Sequence, residues 1–405
     1  MNQLSDYIRD FRRTEPFAVG QPIFLNSAGS SLPDPSVRDV VQEQLRIEFT
    51  KGGYAAANEA EPDIERFYNS AAALIGGSAE GIAYVDSGTR AWNSIMYAVP
   101  GLGPGKQIIT ARSEFGSNLV SLAHLASLTG ASVDLVEVDA NGRIQLEHLL
   151  SMVSERTALV ALSMVNAHAG TVNDLAGVGQ ALKEIAPEVT FVVDGCQAAG
   201  QIPIDVTALG ASALTVTGRK WLRGPRGSGF LYVDPQELHR FRPTAFDQTI
   251  AGLQTPGTFP HTDLSIRDDA RRFEMWERSH ATMLGLGQAI DVTMALGVDA
   301  IQERIAALAS ALRIGIASIP GLDVLESADE RSGIVGVSRS SGSVWEIVSA
   351  LKETGFEVGA MPRWEAPPAF GGRTDKSVLR LSPHIFNTSE EIQQALDALW
   401  QVGAQ

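Results

Sequence analysis

The stretch from Phe191 to Val233 constrains this chain more than any other. It reads as strand, turn, short crossover, strand, loop and strand. Asp194 closes the apolar run Phe191-Val192-Val193, and Lys220 follows the next one. Open α/β sheets bind ligands at the carboxyl ends of their strands. The pattern therefore offers a carboxylate and an amine at neighbouring strand ends, with the glycine-rich Gly224-Pro225-Arg226-Gly227 loop just beyond.

The chain upstream supports such a sheet. Strand-like runs at 82–85, 107–111, 133–138 and 158–164 alternate with helical patterns up to residue 220 or so. That alternation predicts a mainly parallel sheet built of βα units. Before it, residues 4–13 have the pattern of a short amphipathic helix. Residues 37–49 and 62–75 read as helices separated by a break at 51–55. After Tyr232 the pattern changes: 240–270 reads as a loop-rich bridge, and 280–296 and 300–317 as helices. Residues 333–337, 343–354, 356–360, 378–381 and 388–402 read as a smaller α+β unit. The Pro/Gly-rich loop 361–376 lies inside that unit.

Bulk properties exclude several classes. The 405 residues suffice for two or three domains. A net charge of −15 argues against a nucleic-acid or anionic-membrane partner. No apolar run approaches the roughly 20 residues of a membrane span. The polar N-terminus does not read as a signal peptide. The single cysteine, Cys196, rules out an internal disulfide framework and a multi-cysteine metal site. A reducing cytoplasm is the expected setting.

Each candidate residue has a plain reading beside the functional one. Lys220 is either a surface lysine in a loop or an amine whose pKa Arg219 helps to depress. Asp194 is either a cap or salt-bridge partner, or a buried carboxylate needing a cationic N–H. Lysine and aspartate together meet the needs of pyridoxal phosphate (PLP), which requires an amine for its aldehyde and an anion for its pyridinium nitrogen. The turn Asp86-Ser87-Gly88-Thr89-Arg90 before a helix is either an ordinary N-cap or a phosphate cradle. The small-residue turn Asn26-Ser27-Ala28-Gly29 is either a plain turn or a place where backbone approaches a ligand.

Asp-Gly-Cys-Gln at 194–197, Thr-Gly-Arg-Lys at 217–220 and Gly-Pro-Arg-Gly at 224–227 together resemble the class V aminotransferase family of fold-type I PLP enzymes. The resemblance runs from about Phe24 to the last helix. It implies a fold-type I PLP-dependent transferase of α/β class, with a mainly parallel central sheet flanked by helices. Residues 15–255 would form the large PLP-binding domain, and 256–405 with 1–14 the small one. It implies that Lys220 carries the cofactor and that Asp194 pairs with its ring nitrogen. Gln197 would bond the ring hydroxyl oxygen, and Phe115 would stand where the family stacks a histidine. Gly88, Thr89, Arg90, Thr217 and Arg219 would hold the phosphate, and Arg380 the substrate carboxylate. Ser279 would reach the phosphate of a partner subunit, since such enzymes are homodimers with sites at the interface.

Departures narrow the activity. The family's desulfurases need a cysteine near 355–372, and this chain has none there. Cys196 reads as a small packed group. Near residue 170 the family's usual asparagine is replaced by Ala167, leaving Asn166 or His168 to face the cofactor. The segments 52–57, 114–119 and 219–227 resemble a branch containing the ergothioneine-pathway cysteine-sulfoxide C–S lyase and cysteine-conjugate enzymes of lincosamide pathways. The expectation is a β-lyase cleaving an S-substituted L-cysteine to pyruvate, ammonia and a sulfur product. Tyr54, Asn26, Ser27 and the loops 240–270 and 361–376 would shape its pocket. Transamination, epimerisation or decarboxylation-linked deamination at the same cofactor are rival outcomes. A catalytically silent binding module on this fold is the rival from another class.

Overall fold

The computed structural model describes residues 3–253, 264–362 and 377–403. Its centre is a seven-stranded sheet: Ile82–Val85 (β1), Gln107–Ala111 (β2), Ser132–Val136 (β3), Thr157–Ser163 (β4), Thr190–Asp194 (β5), Ala213–Thr217 (β6) and Gly229–Val233 (β7). Their spatial order is β1-β7-β6-β5-β4-β2-β3. All neighbours run parallel except β7, which is antiparallel to both β6 and β1. Strands covered on both faces read as continuous apolar runs rather than alternating ones. That is why every residue of β4, β5, β6 and β7 is buried.

Register places the polar strand ends side by side. Ser163 of β4 pairs with Asp194 of β5, and Asp194 pairs with Thr215 of β6. Helix Gly88–Met96 follows β1 directly, with Ser87 as N-cap accepting from the Arg90 N–H at 3.2 Å. Helix Gly116–Thr129 follows β2 in the same way. β6 and β7 are joined without a helix, so the segment 218–228 leaves and re-enters the same edge of the sheet.

A second sheet is antiparallel and smaller. It consists of Leu322–Val324 (β8), Val335–Arg339 (β9), Gly359–Met361 (β10) and Val378–Leu381 (β11), in the order β8-β9-β11-β10. Arg380 lies on the central strand β11, opposite Gly336 and Gly359. Ile23–Phe24 pairs in parallel with Phe356–Glu357, which ties the N-terminal segment to this unit.

Packing differs from the sequence reading in three places. The break expected at 51–55 is brief, and Gly53–Glu59 forms a further helix. Within the stretch read as a loop-rich bridge, Ala251–Leu253 and Leu264–Ile266 pair as antiparallel strands. Helix His280–Leu296 follows the division expected near residue 256, yet Met283, Leu284, Leu286 and Ile290 join the core beneath the large sheet with Phe67 and Tyr68. The core of the smaller sheet gathers Leu25 and residues from Leu308 onward. Among the described residues no single helix is long and apolar enough to cross a membrane. The loop expected over the site lies, from residue 363 to 376, outside the described residues.

Gly170 joins the two units. Its φ is 67°, and an added Cβ would sit 2.3 Å from the Ile334 carbonyl oxygen. Gly105 has φ of 82° with open space around it. Left-handed backbone costs a non-glycine residue about 1–3 kcal/mol. Gly105→Ala is therefore expected to lose about that much stability by urea unfolding, and Gly170→Ala distinctly more. Equal losses would show that the close approach at Gly170 carries no weight.

Candidate active site

A cavity of about 400 Å³ opens where the sheet register predicts one, at the ends of β5 and β6. It gathers eight of the residues singled out from the sequence: Gly88, Thr89, Phe115, Asp194, Gln197, Thr217, Arg219 and Lys220. The Lys220 ammonium lies 5.9 Å from the centroid of the Phe115 ring. Burial lowers the Lys220 pKa to about 8, and the cations of Arg219 and Arg380 push the same way. About a tenth of its amine is therefore uncharged at pH 7 and about half at pH 8, far more than for an ordinary lysine, and the uncharged form is the nucleophile.

Asp194 is held by several donors. Its Oδ1 accepts from the Cys196 N–H at 2.8 Å and the Thr215 hydroxyl at 3.3 Å, and its Oδ2 from Asn118 Nδ2 at 2.8 Å. Gln197 accepts from the Trp221 indole N–H at 2.8 Å and donates to the Ala28 carbonyl at 3.2 Å. Its amide retains a second N–H. The Arg380 guanidinium donates to the carbonyl of Ala167, which lines the cavity, at 3.0 Å.

The loop bearing Lys220 is braced from outside. The Ser31 N–H donates to the Arg219 carbonyl at 2.8 Å, so the turn 26–31 sits against the lysine loop. Arg223 adopts φ of 61°, a conformation side chains rarely take. Its guanidinium lies 4.2 Å from the centroid of Phe11 and donates to the Tyr7 hydroxyl at 2.6 Å and the Leu32 carbonyl at 2.9 Å. The N-terminal helix Gln3–Phe11 thus holds the strained turn beside the lysine.

Other expected residues lie elsewhere. Arg90 points to solvent from its helix, 3.9 Å from Asp86. The Asn166 side-chain Oδ1 accepts from the N–H groups of His168 and Ala169, and its Nδ2 donates to the Ser113 carbonyl. Asn166 therefore shapes its own loop. Asn26 reaches Glu357, and Ser27 is buried against Ser31. Tyr54 and Ser279 line a separate cavity of about 550 Å³ together with Trp276 and Arg278. The Ser279 hydroxyl there caps helix His280–Leu296 by accepting from the Thr282 N–H at 3.3 Å.

Glu114 and Asn118 are site residues that the sequence does not mark individually, although they lie in the segment 114–119 that carries the resemblance. Glu114 is 1% exposed, and burial, with the Asp194 charge adding to it, raises its pKa to about 7. The i,i+4 spacing of Glu114 and Asn118 at the start of a helix is the signal that places both on one face.

Three comparisons bear on this geometry. The profile described as aminotransferase class-V matches residues 23–395. The chain belongs to that family. A cysteine desulfurase of Enterobacter sp. (strain 638) is 28% identical over 397 residues, covering 95% of this chain and 94% of that one. A probable hercynylcysteine sulfoxide lyase of Mycobacterium tuberculosis is 28% identical, covering 96% and 92%. Among solved structures, the cysteine desulfurase CsdA of Escherichia coli superposes with a TM-score of 0.86 at 22% identity, covering 98% of each chain.

The chain is a PLP-dependent enzyme, and its residues fit that cofactor. Asp194 offers an anion for the ring nitrogen, and Phe115 a flat apolar face. The Nη1 of Arg219 is buried and has no hydrogen-bond partner among the described residues. It faces the same cavity as the helix N-terminus at Gly88 and Thr89, where N–H groups and the helix dipole suit a phosphate. Incubating apo-protein with PLP and trapping with borohydride is expected to label Lys220 by peptide mass. Because the uncharged amine reacts, the labelling rate should rise with pH through a midpoint near 8. A midpoint in the ordinary lysine range, near 10.4, or undiminished labelling in Lys220→Ala, would contradict the assignment.

Proposed function

We propose that this enzyme is a C–S β-lyase that cleaves an S-substituted L-cysteine, as conjugate or sulfoxide, to pyruvate, ammonia and a sulfur product. The observation that carries the reading concerns the one thiol in the chain. Cys196 lies at the cavity floor, where its S–H faces the Thr215 carbonyl at 3.8 Å. Burial, with the Asp194 carboxylate adding to it, pushes its pKa well above the ordinary thiol range. A thiol held protonated is a poor nucleophile. Without a thiolate acceptor on the enzyme, the sulfur must leave with its own substituent. The names of both curated relatives describe chemistry at the sulfur of cysteine or a cysteine derivative.

Bound PLP supplies an electron sink for charge developing at the substrate Cα. The chain supplies the rest. Lys220 Nζ, close to half-neutral near pH 8, takes the Cα proton and can return it. Asp194, fixed by Asn118, Thr215 and the Cys196 N–H, holds a proton on the ring nitrogen. Arg380 suits the planar substrate carboxylate through a bidentate guanidinium contact. Phe115 covers one face of the cavity and excludes water from it.

The functional unit in this proposal is a homodimer. Phe49 is 92% and Tyr54 77% exposed, and Trp276 and Met275 are also exposed nearby in sequence or across the second cavity. The Tyr54 and Trp276 rings stand 6.3 Å apart, and in this proposal these exposed aromatics form the subunit contact. Pairing would bring Tyr54 and Ser279 to a partner's cavity. Sedimentation should give a dimer, and Phe49→Asp should shift it toward monomer.

The reaction is tested by incubating PLP-loaded enzyme with S-alkyl cysteines and their sulfoxides and analysing products by mass. Pyruvate with a free thiol or sulfenate supports the lyase. A racemised amino acid, or an aldehyde lacking the carboxylate, sinks it. Cys196→Ala should retain activity to within a few-fold. Arg380→Lys should raise KM roughly tenfold or more, about the loss of one charge-assisted hydrogen bond. Abolished turnover in Cys196→Ala would instead point to sulfur transfer through the enzyme.

A further inference from the structure

Behind Asp194 lies a second carboxylate that the chemistry above does not use. Glu114 precedes helix Gly116–Thr129, and its side chain turns inward between β2 and β4. It accepts from the Ser163 N–H at 2.8 Å and the Ser163 hydroxyl, from the Phe115 N–H at 2.9 Å and from Asn118 Nδ2 at 2.8 Å. Every one of these donors is uncharged. A buried carboxylate without a counter-cation is costly. Such a group persists where the surrounding structure has a use for it.

Its contacts show what it organises. The Asn118 amide nitrogen has two N–H groups, and both are spent on carboxylates: one on Glu114 and one on Asp194. Glu114 thereby fixes which end of the Asn118 amide faces Asp194. Were the amide reversed, its oxygen would oppose the Asp194 oxygen. Through the Phe115 N–H, Glu114 also fixes the backbone of the aromatic residue that faces Lys220. Through Ser163, the register partner of Asp194, it is locked to the same strand ends.

We propose that Glu114 is a positioning residue of the cofactor site, which through Asn118 and Phe115 sets the carboxylate at the ring nitrogen and the aromatic face beside the ring. Its charge acts in the same sense as its geometry. The charged group acting on it is Asp194, which in turn acts on Cys196 and Lys220. With the thiol protonated, an ionised Glu114 adds a second negative charge behind Asp194. That favours the protonated ring nitrogen. Burial raises the Glu114 pKa to about 7, and a cationic ring at Asp194 would draw it back toward ionisation.

The inference rests on PLP occupying this cavity and is independent of which bond the enzyme breaks. Holoenzyme loaded with PLP carrying nitrogen-15 in the ring is titrated by NMR, in wild type, Glu114→Gln and Asn118→Ala. Glu114→Gln is expected to lose the ring-nitrogen proton about one pH unit below wild type. Asn118→Ala, which leaves both carboxylates in place, is expected to bind PLP roughly tenfold more weakly and to lose the visible circular dichroism of an ordered ring. A role confined to folding would lower the melting temperature of both variants and leave these signals unmoved. Coincident titration curves for Glu114→Gln and wild type overturn the proposal. Should Glu114→Gln fail to fold, unchanged affinity and dichroism in Asn118→Ala overturn it. Failure of wild type to bind PLP would instead overturn the cofactor assignment.

Discussion

One buried anion, Asp194, sets the terms for everything around it. It ends a fully buried strand, so its charge is tolerable only where several donors converge. Three converge here, from Asn118, Thr215 and the Cys196 backbone. They come from a neighbouring helix, a neighbouring strand and the turn that follows. The sheet order and the helix after β2 are thus conditions for this one carboxylate. So is the acidity of its surroundings: the same charge raises the pKa of Glu114 and Cys196, and opposes the lowering of that of Lys220.

The lysine depends on a different balance. Burial and two arginines act on it against the Asp194 carboxylate, and the net effect leaves an amine about half neutral near pH 8. Arg219 and Arg380 come from different sheets, one from the loop after β6 and one from β11. Closing the small unit onto the large one is therefore part of how the amine is tuned. The approach of Gly170 to Ile334 is one of the contacts that keep that spacing.

Much of this was legible in the sequence, for physical reasons. An apolar run ending in a single polar residue announces a buried strand with a polar end, and Asp194 follows from that rule; Lys220 lies just past the next run, while Thr217, Arg219, Gln197 and Phe115 rest on the family resemblance. The turn before a helix leaves an ordinary cap and a phosphate cradle equally open at Gly88 and Thr89, and the resemblance points to the second. What escaped was decided by side-chain direction. Asn166 turns its side chain back on its own loop, and Arg90 is solvent-exposed beside Asp86. Residue type and neighbourhood do not specify such directions. Glu114 and Asn118 were passed over because a glutamate is ordinarily solvated, and only the assembled sheet buries this one. Gly52-Gly53 reads as a stop, whereas Gly52 only turns the chain at φ 86° and the alanines at 55–57, good helix formers, carry Gly53–Glu59 as a further helix.

The antiparallel strand β7 has a consequence for how this scaffold can change. Because β6 and β7 are joined directly, the lysine rides a short hairpin closed at its base, where the Gly218 N–H meets the Ser228 carbonyl at 2.9 Å. Its middle is crossed by bonds from Gly224 to Gly218 and from Arg223 to Lys220. A segment pinned at both ends and cross-braced has little freedom left to lose when a ligand arrives. Alterations elsewhere around the cavity can then change its shape. The Lys220 amine stays where the hairpin puts it, a fixed anvil under an exchangeable die.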